Sequence, residues 1–249
     1  MIIPTQRTQF DAWCPTGRTQ TQNWYLRRAG QSAPSSWGTT IDPDGNVRIR
    51  LSESERRLWV EDIQEVLTFI GTLSPGRVMD FGCGPGWLLR ELPTWDRIGV
   101  EIAHDAVDEL NRHNIPHVQH LHDVDDSSCN LAVAYHVFEH LTCPEVYLYE
   151  LRKKLCRGGW LIVGTPDFGS PCAKRFGDNF RMLHDPTHVS LFTLESMHRF
   201  LADHGFTVRD VQYPFPERYA TAETMQRWRD TSKVSPPWPG NWITMYAVR

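Results

Sequence analysis

Val78-Met79-Asp80-Phe81-Gly82-Cys83-Gly84-Pro85-Gly86 is the stretch on which the reading of this 249-residue chain turns. A short apolar run ends in an acid, three glycines alternate, and a new apolar segment begins at Trp87-Leu88-Leu89. That order predicts strand, tight turn, helix. Glycine has no Cβ, so the backbone can turn sharply and a ligand can lie directly against it. A helix start just beyond offers unpaired N–H groups to an anion such as a carboxylate. The spacing is Gly-x-Gly-x-Gly, not the Gly-x-Gly-x-x-Gly of a dinucleotide site, and an acid stands two places before the first glycine.

Upstream, residues 1–50 are rich in Thr, Gln, Ser, Pro and Gly, with aromatics at Trp13, Trp24, Tyr25 and Trp37. They lack periodicity but carry too many rings for a plain disordered tail. The expectation is an N-terminal arm packed on the surface, or a lid over a substrate pocket. Asp42 to Asn46 reads as a turn and Val47 to Leu51 as a short, half-exposed strand. Ser52 and Glu55 stand at capping-box spacing before a helix whose apolar face (Leu58, Ile63, Val66, Leu67, Ile70) runs to Gly71.

Downstream, strands and helices alternate. A helix over 86–92 stops at Pro93; a strand over 97–101 ends in Glu101; a helix over 105–113 has Asp105 placed to cap it. An irregular, histidine-rich strand is expected over 117–122 and a clearer one over 130–135. A helix follows over 142–155, with Pro144 in its first turn and Arg157-Gly158-Gly159 as its C-terminal turn. The fifth strand spans 160–165. Asp167 to His188 reads as a long loop carrying Phe168, Arg175, Phe176, Phe180, Arg181, His184 and His188, and loops of that length are usually functional. A helix over 194–204, a strand over 207–213, an insertion over 214–240 with a helix at 222–229, and a final strand over 242–248 complete the chain.

This alternation predicts an α/β, doubly wound, Rossmann-like fold: a parallel sheet covered on both faces. Ligands of such sheets sit beyond the carboxyl ends of the strands, where Asp80, Glu101, Asp123 and His136 would emerge. The expected organisation is the arm or lid at 1–50 and one domain over 51–249, with substrate-side insertions at about 167–190 and 214–240.

Bulk properties narrow the function. A hydrophobic fraction of 40% is ordinary for a globular chain. A net charge of -4 argues against a nucleic-acid partner, which usually draws a basic excess. The six cysteines have no paired spacing and read as reduced thiols. No apolar run is long enough for a membrane span, and the N-terminus lacks the core of a leader peptide. The expectation is a cytoplasmic protein, with homo-oligomerisation left open.

Four segments carry a family resemblance: 78–86, 130–141 (with His136-Val137-Phe138-Glu139-His140), 155–166, and 185–206 with its Asp185-Pro186-Thr187-His188. Together they resemble the class I S-adenosylmethionine (SAM)-dependent methyltransferases, and within them the ubiquinone-biosynthesis-type small-molecule enzymes. The resemblance implies a seven-stranded sheet with an antiparallel C-terminal hairpin, SAM as cofactor, and SAM contacts at Asp80, Gly82, Cys83, Gly84, Gly86, Glu101, Ile102, Asp123, Val124, Tyr135 and His136. In that frame Asp80 favours the positive amino group, Glu101 accepts the ribose hydroxyls, Asp123 accepts from the adenine amino group and the Val124 N–H meets a ring nitrogen.

The sequence departs from the family at three places. The usual acid before the fourth strand is Asn130, a change expected to affect local packing. The segment between the third and fourth strands is short. Some ubiquinone-pathway members hold a metal with Glu-x-x-Glu-His, but the first position here is His136. His136, Glu139 and His140 stand at relative positions 0, 3 and 4, where one helical turn could bring them to a shared metal; His140 hydrogen-bonded at a helix start with Glu139 capping nearby is the favoured expectation, and no metal is assigned. His184 and His188, four apart, lack a third ligand.

The implied reaction is methyl transfer by in-line displacement to a small-molecule acceptor, with oxygen favoured. Alignment supplies most of its acceleration, and a hydroxyl acceptor gains from a base of near-neutral pKa. His136 and His188 are the candidates for that base. N- or C-methylation is the first alternative, and a SAM-binding protein without transfer activity the second. The Asn-Pro-Pro-aromatic motif of amino-group DNA methyltransferases is absent at Thr165-Pro166-Asp167. Trp13, Trp24, Phe168, Phe176 and Phe180 lean toward a flat or apolar acceptor.

Overall fold

The computed structural model describes residues 25–26, 39–42, 47–49 and 51–249. The rest of the expected arm, including Trp13 and Trp24, lies outside the described residues. Tyr25–Leu26 pairs antiparallel with Ser190–Leu191, and Thr39–Ile41 forms a hairpin with Val47–Ile49.

Seven strands make the main sheet: β1 (Arg77–Phe81), β2 (Asp96–Val100), β3 (His117–Val118), β4 (Cys129–Tyr135), β5 (Leu155–Pro166), β6 (Thr207–Gln212) and β7 (Trp242–Val248). Their order is β6-β7-β5-β4-β1-β2-β3. The five strands from β5 to β3 run parallel, and β7 is antiparallel to both β5 and β6. This is the expected seven-stranded sheet with its antiparallel C-terminal hairpin. Order reverses between β1 and β4, so the crevice for a ligand opens beyond their carboxyl ends.

The helices are α1 (Glu53–Asp62), α2 (Gln64–Gly71), α3 (Trp87–Arg90), α4 (His104–Arg112), α5 (Pro144–Lys154), α6 (Pro171–Phe176), α7 (Leu194–Asp203) and α8 (Ala222–Arg229). Successive strand residues face opposite layers. Met79, Ala132, Leu161 and Val163 pack with Leu148 and Leu151 of α5 and Met197 and Phe200 of α7. Val78, Leu131, Val133 and Ile162 pack with Val66, Ile70, Leu88, Leu89 and Leu110 on the other side. Because both faces are covered, β4 reads as an unbroken apolar run from Leu131 to Tyr135. Asn130 at its start acts locally, as expected: its Oδ1 accepts the Arg77 N–H at 2.9 Å.

Five expectations are corrected. The helix over 52–71 is two helices, broken at Ile63 (φ -111°, ψ 19°), which turns into the core while α1 buries none of its own residues. The Ser52 hydroxyl does accept the Glu55 N–H, at 3.2 Å. Asp105 does not cap α4: the cap position is Ala103, without a side-chain bond, and the Asp105 carboxylate accepts the Ala106 N–H instead. The third strand stops at Val118, since the chain turns into a 3-10 helix over Leu121–Asp123 that sends Leu121 into the core. Gly158-Gly159 does not end α5, because the chain becomes extended at Leu155 and β5 begins at once, carrying the glycine pair beside an irregular register with β4.

Finally, residues 167–188 are not an open loop. They contain α6 and two 3-10 turns, and Phe168, Phe176 and Phe180 are buried in a small core with Cys172 and Leu191. Rings that fill a core cannot argue for a flat acceptor, and that expectation is withdrawn.

Candidate active site

Beyond the end of β1 the chain folds back on β2. The Gly82 N–H donates to the Val100 carbonyl at 2.9 Å, and Gly82 adopts φ +71°. A Cβ there would stand 2.6 Å from Val137 Cγ2, and one on Gly86 (φ +75°) would stand 2.6 Å from Leu110 Cδ2. Left-handed backbone and absent space both demand glycine at these two positions.

Glu101, just past β2, closes the turn. Its Oε2 accepts the Gly84 N–H at 2.8 Å, and its Oε1 accepts those of Ile102 and Ala103 at 2.7 and 2.8 Å. Asp80 is only 4% exposed and has no hydrogen-bond donor among the described residues. Burial, reinforced by the Glu101 charge, pushes its carboxyl up to about 8. Burial likewise raises the Cys83 thiol well above its ordinary range. Ile102, in contrast, is 63% exposed directly beside the buried Glu101. An apolar side chain held in solvent next to a buried acid and a glycine turn is suited to one face of a ligand.

The structure thus brings Asp80, Gly82, Cys83, Gly84, Gly86, Glu101 and Ile102 into one cluster. Asp123 is exposed on the next connection, its Oδ1 3.4 Å from His122 Nε2. The Val124 N–H, expected to be free for a ring nitrogen, is occupied by the Leu121 carbonyl at 3.1 Å. The 3-10 turn creates that bond, and an expected strand could not foretell it.

On the other side of the crevice, β4 ends at Tyr135 and His136. The His136 N–H is tied to the Gly164 carbonyl at 2.8 Å, and the residue sits at φ +57°, a left-handed conformation that costs a non-glycine residue about 1–2 kcal/mol. Strain of this kind collects at functional sites. The ring stands edge-on to Tyr135, and Trp59 approaches both Tyr135 and Trp87.

His136 Nδ1 is 3.0 Å from Glu139 Oε1, and the Thr165 hydroxyl donates to Glu139 Oε2 at 3.1 Å. Glu139 is fully buried. Burial opposes its ionisation, but the His136 hydrogen bond and the nearby imidazoles of His136, His140 and His188 prevail and hold it down to about 2. An ionised carboxylate on Nδ1 fixes that nitrogen as the protonated one and leaves Nε2 as a proton acceptor. Sequence reasoning treated Glu139 as a capping neighbour or a metal ligand, not as the partner that orients His136, and missed Thr165. The three-residue spacing of His136 and Glu139 carried the first pairing; nothing in sequence announced the second.

His188, the other candidate base, is 7% exposed. Its Nδ1 is 2.7 Å from the Met182 carbonyl, its ring lies 4.9 Å from that of His140, and burial lowers its pKa. A ring enclosed in this way is not presented to an acceptor. His184 is exposed and apart from it.

A family model described as a methyltransferase domain (Methyltransf_23) matches residues 52–211. The chain belongs to that family, and its fold is that of a class I SAM-dependent methyltransferase. Among solved structures, a SAM-dependent methyltransferase from Archaeoglobus fulgidus aligns with TM-score 0.56 and 18% identity over 78% of this chain and 94% of that one. Another, from Thermotoga maritima, gives TM-score 0.56 and 20% identity over 79% and 94%. At these identities the likeness is one of fold.

An uncharacterized 37.1 kDa protein in transposon TN4556 of Streptomyces fradiae is 33% identical over 110 residues, 39% of this chain and 32% of that protein. The chain therefore spans about a third of the length of this curated relative. No helix among the described residues is long and apolar enough to cross a membrane.

The site suits SAM. Beside the glycine turn, the buried Asp80 carboxyl has no donor among the described residues, as a partner of an ammonium group would. Bound SAM supplies a methyl group on a sulfonium, ready for displacement.

Proposed function

We propose that this protein methylates an oxygen of a small-molecule acceptor, with His136 as the base and Glu139 as the residue that positions it. The observation that carries this reading is the His136–Glu139 pair at 3.0 Å, at the end of the strand next to the glycine turn. Asp80 would favour the amino group of the cofactor's amino-acid end beside the Gly82–Gly86 turn, and Glu101 and Ile102 would hold the ribose and one face of the adenine. Asp123 remains the candidate acceptor for the adenine amino group. His136 Nε2 would take the hydroxyl proton of the acceptor, while bound SAM would supply the methyl group, its S–CH3 bond breaking to leave S-adenosylhomocysteine as the O–CH3 bond forms. Glu139 keeps the imidazole oriented and stabilises its charge once protonated.

Transfer of tritium from labelled SAM into a metabolite extract tests the proposal. Label should enter a small molecule, and His136→Ala should abolish most of it. Label in protein or nucleic acid instead would overturn the small-molecule reading. Undiminished transfer by His136→Ala would overturn the base and favour an amine acceptor, which needs only to be neutral.

A further inference from the structure

We propose that Arg218 is the gate residue of the acceptor site: it fastens the 214–240 insertion to α1 across the space that His136 faces, and its closure decides which acceptors enter. The inference rests on the methyl-transfer reading above and extends it to a residue outside the cofactor cluster.

Contacts beginning at His136 close into a ring. Its imidazole stands 4.8 Å, edge-on, from the Tyr135 ring, and Tyr135 in turn meets Trp59 of α1 at 6.3 Å. One helical turn after Trp59, Asp62 ends α1 and accepts from Arg218 Nη2. Arg218 lies in a 3-10 turn, Glu217–Tyr219; its guanidinium sits 4.4 Å over the Tyr219 ring and donates to the Tyr219 hydroxyl at 3.0 Å. The Tyr219 ring meets that of Trp242, edge-on, at 6.2 Å. Trp242 opens β7 opposite Pro166 at the end of β5. Two residues back on β5, the Gly164 carbonyl accepts the His136 N–H at 2.8 Å, which returns the ring to its origin.

The other links of this ring are packed side chains or paired backbone. The Arg218 link is ionic: Nη1 donates to Glu61 Oε2 at 3.0 Å and Nη2 to Asp62, with the three side chains 22%, 57% and 25% exposed. Ion pairs this accessible add little to stability, so the link can part and re-form while both elements stay folded. Two acids and a phenol around one rigid guanidinium nonetheless define a single closed position. Burial raises the Asp62 carboxyl; Arg218 and, to a lesser degree, His136 oppose that, so the ion pair lies within electrostatic reach of the imidazole. Parting the link opens a way to His136, and re-forming it encloses what has entered, as lids over active sites do.

The probe is diethyl pyrocarbonate, which acylates neutral imidazole, applied to the full chain and read at each histidine by peptide mass spectrometry. Arg218→Ala should speed modification of His136 about two- to fivefold, the shift in opening that loss of an exposed ion pair gives, and leave the exposed His184 unchanged. A purely electrostatic effect has the opposite sign, because losing a nearby cation favours the unreactive imidazolium. Arg218→Glu should speed modification at least as much, and adding Asp62→Lys should return it toward the wild-type rate by rebuilding the pair with its charges exchanged. A packing role would instead make the double variant worse than the single one. With labelled SAM and a metabolite extract, Arg218→Ala should label bulkier molecules than the wild type does. An unchanged or slower rate at His136, no rescue by the exchanged pair, or an identical set of labelled products would overturn the gate. Calorimetry with S-adenosylhomocysteine keeps the two readings apart: its affinity should be equal in all these proteins, and a wild type that binds none would remove the methyl-transfer reading whatever the modification rates show.

Discussion

Glu101 Oε2 accepts the Gly84 N–H at 2.8 Å, so the acid that ends β2 holds the glycine turn that follows β1. The same carboxylate accepts two further N–H groups at the approach to α4. One side chain thereby organises both connections that border the ligand crevice before any ligand arrives.

Replacing Glu101 should therefore cost stability as well as binding. Hydrogen bonds to charged groups contribute about 1.5–3 kcal/mol each, and Glu101→Ala, which breaks three, should lower unfolding free energy by about 2–4 kcal/mol, some N–H groups finding water. Urea denaturation measures this. On the proposed reading a ribose hydroxyl loses its acceptor, so calorimetry should show S-adenosylhomocysteine affinity falling about tenfold, at about 1.4 kcal/mol per factor of ten.

Asp80 gives stability a pH dependence of unusual sign. Its carboxyl is raised to about 8 in the folded protein, against about 3.9 when unfolded. The folded state thus holds a proton that the unfolded state has released, and stability falls as pH rises between those values. The contribution is fully present below about pH 4 and lost on passing pH 8. Urea midpoints at pH 5 and 8.5 should fall further for the wild type than for Asp80→Asn. A cationic amino group binding here should expel the proton, which calorimetry at pH 7 in buffers of different ionisation enthalpy would register.

Alanine at the glycine turn meets two penalties. Left-handed backbone costs about 1–2 kcal/mol and an overpacked Cβ about 1–3 more, so Gly82→Ala and Gly86→Ala should each destabilise by about 2–5 kcal/mol. Gly158 shares the positive φ (+77°) but has nothing within 4 Å of a built Cβ. Gly158→Ala should cost only the backbone share, about 1–2 kcal/mol. Equal losses at all three, in urea titrations, would contradict the steric account.

For an oxygen acceptor, removing the base should lower kcat by about 100-fold or more with little change in KM. His136→Ala should do so directly. Thr165→Val, which leaves Glu139 Oε2 without its hydroxyl donor, should reduce kcat by a smaller factor and leave S-adenosylhomocysteine binding intact. Steady-state kinetics with the identified acceptor would decide between these outcomes.

The sheet was legible because its strands obey local rules: apolar runs bounded by glycine, proline and acids, at the pace of βα units. Trp242–Val248 and Ala222–Arg229 occur where periodicity put them. Legibility failed where tertiary contacts overrode local signals. Ile63 breaks a helix because the core claims its side chain, and Leu155 enters a strand directly from a helix because β4 is there to pair. Asp80 and Glu101 could be placed from topology alone. The burial of His188 against His140 could not, since it depends on how residues 167–190 fold back over the turn after β4.

Residues 167–190 and 214–240, far apart in sequence, share one small core: Phe176 meets Trp228 and Trp238, the Asn179 amide donates to the Thr231 carbonyl, and the Ser235 hydroxyl accepts the Arg181 N–H. A single side chain, Arg218, reaches from this lobe to Glu61 and Asp62 at the end of α1. The first piece leaves the sheet at the crevice end of β5, and the second runs between the crevice ends of β6 and β7. Such an annex can diverge, lengthen or be transplanted between relatives as a unit, re-tooling what is methylated while the machinery that grips the methyl donor stays in place.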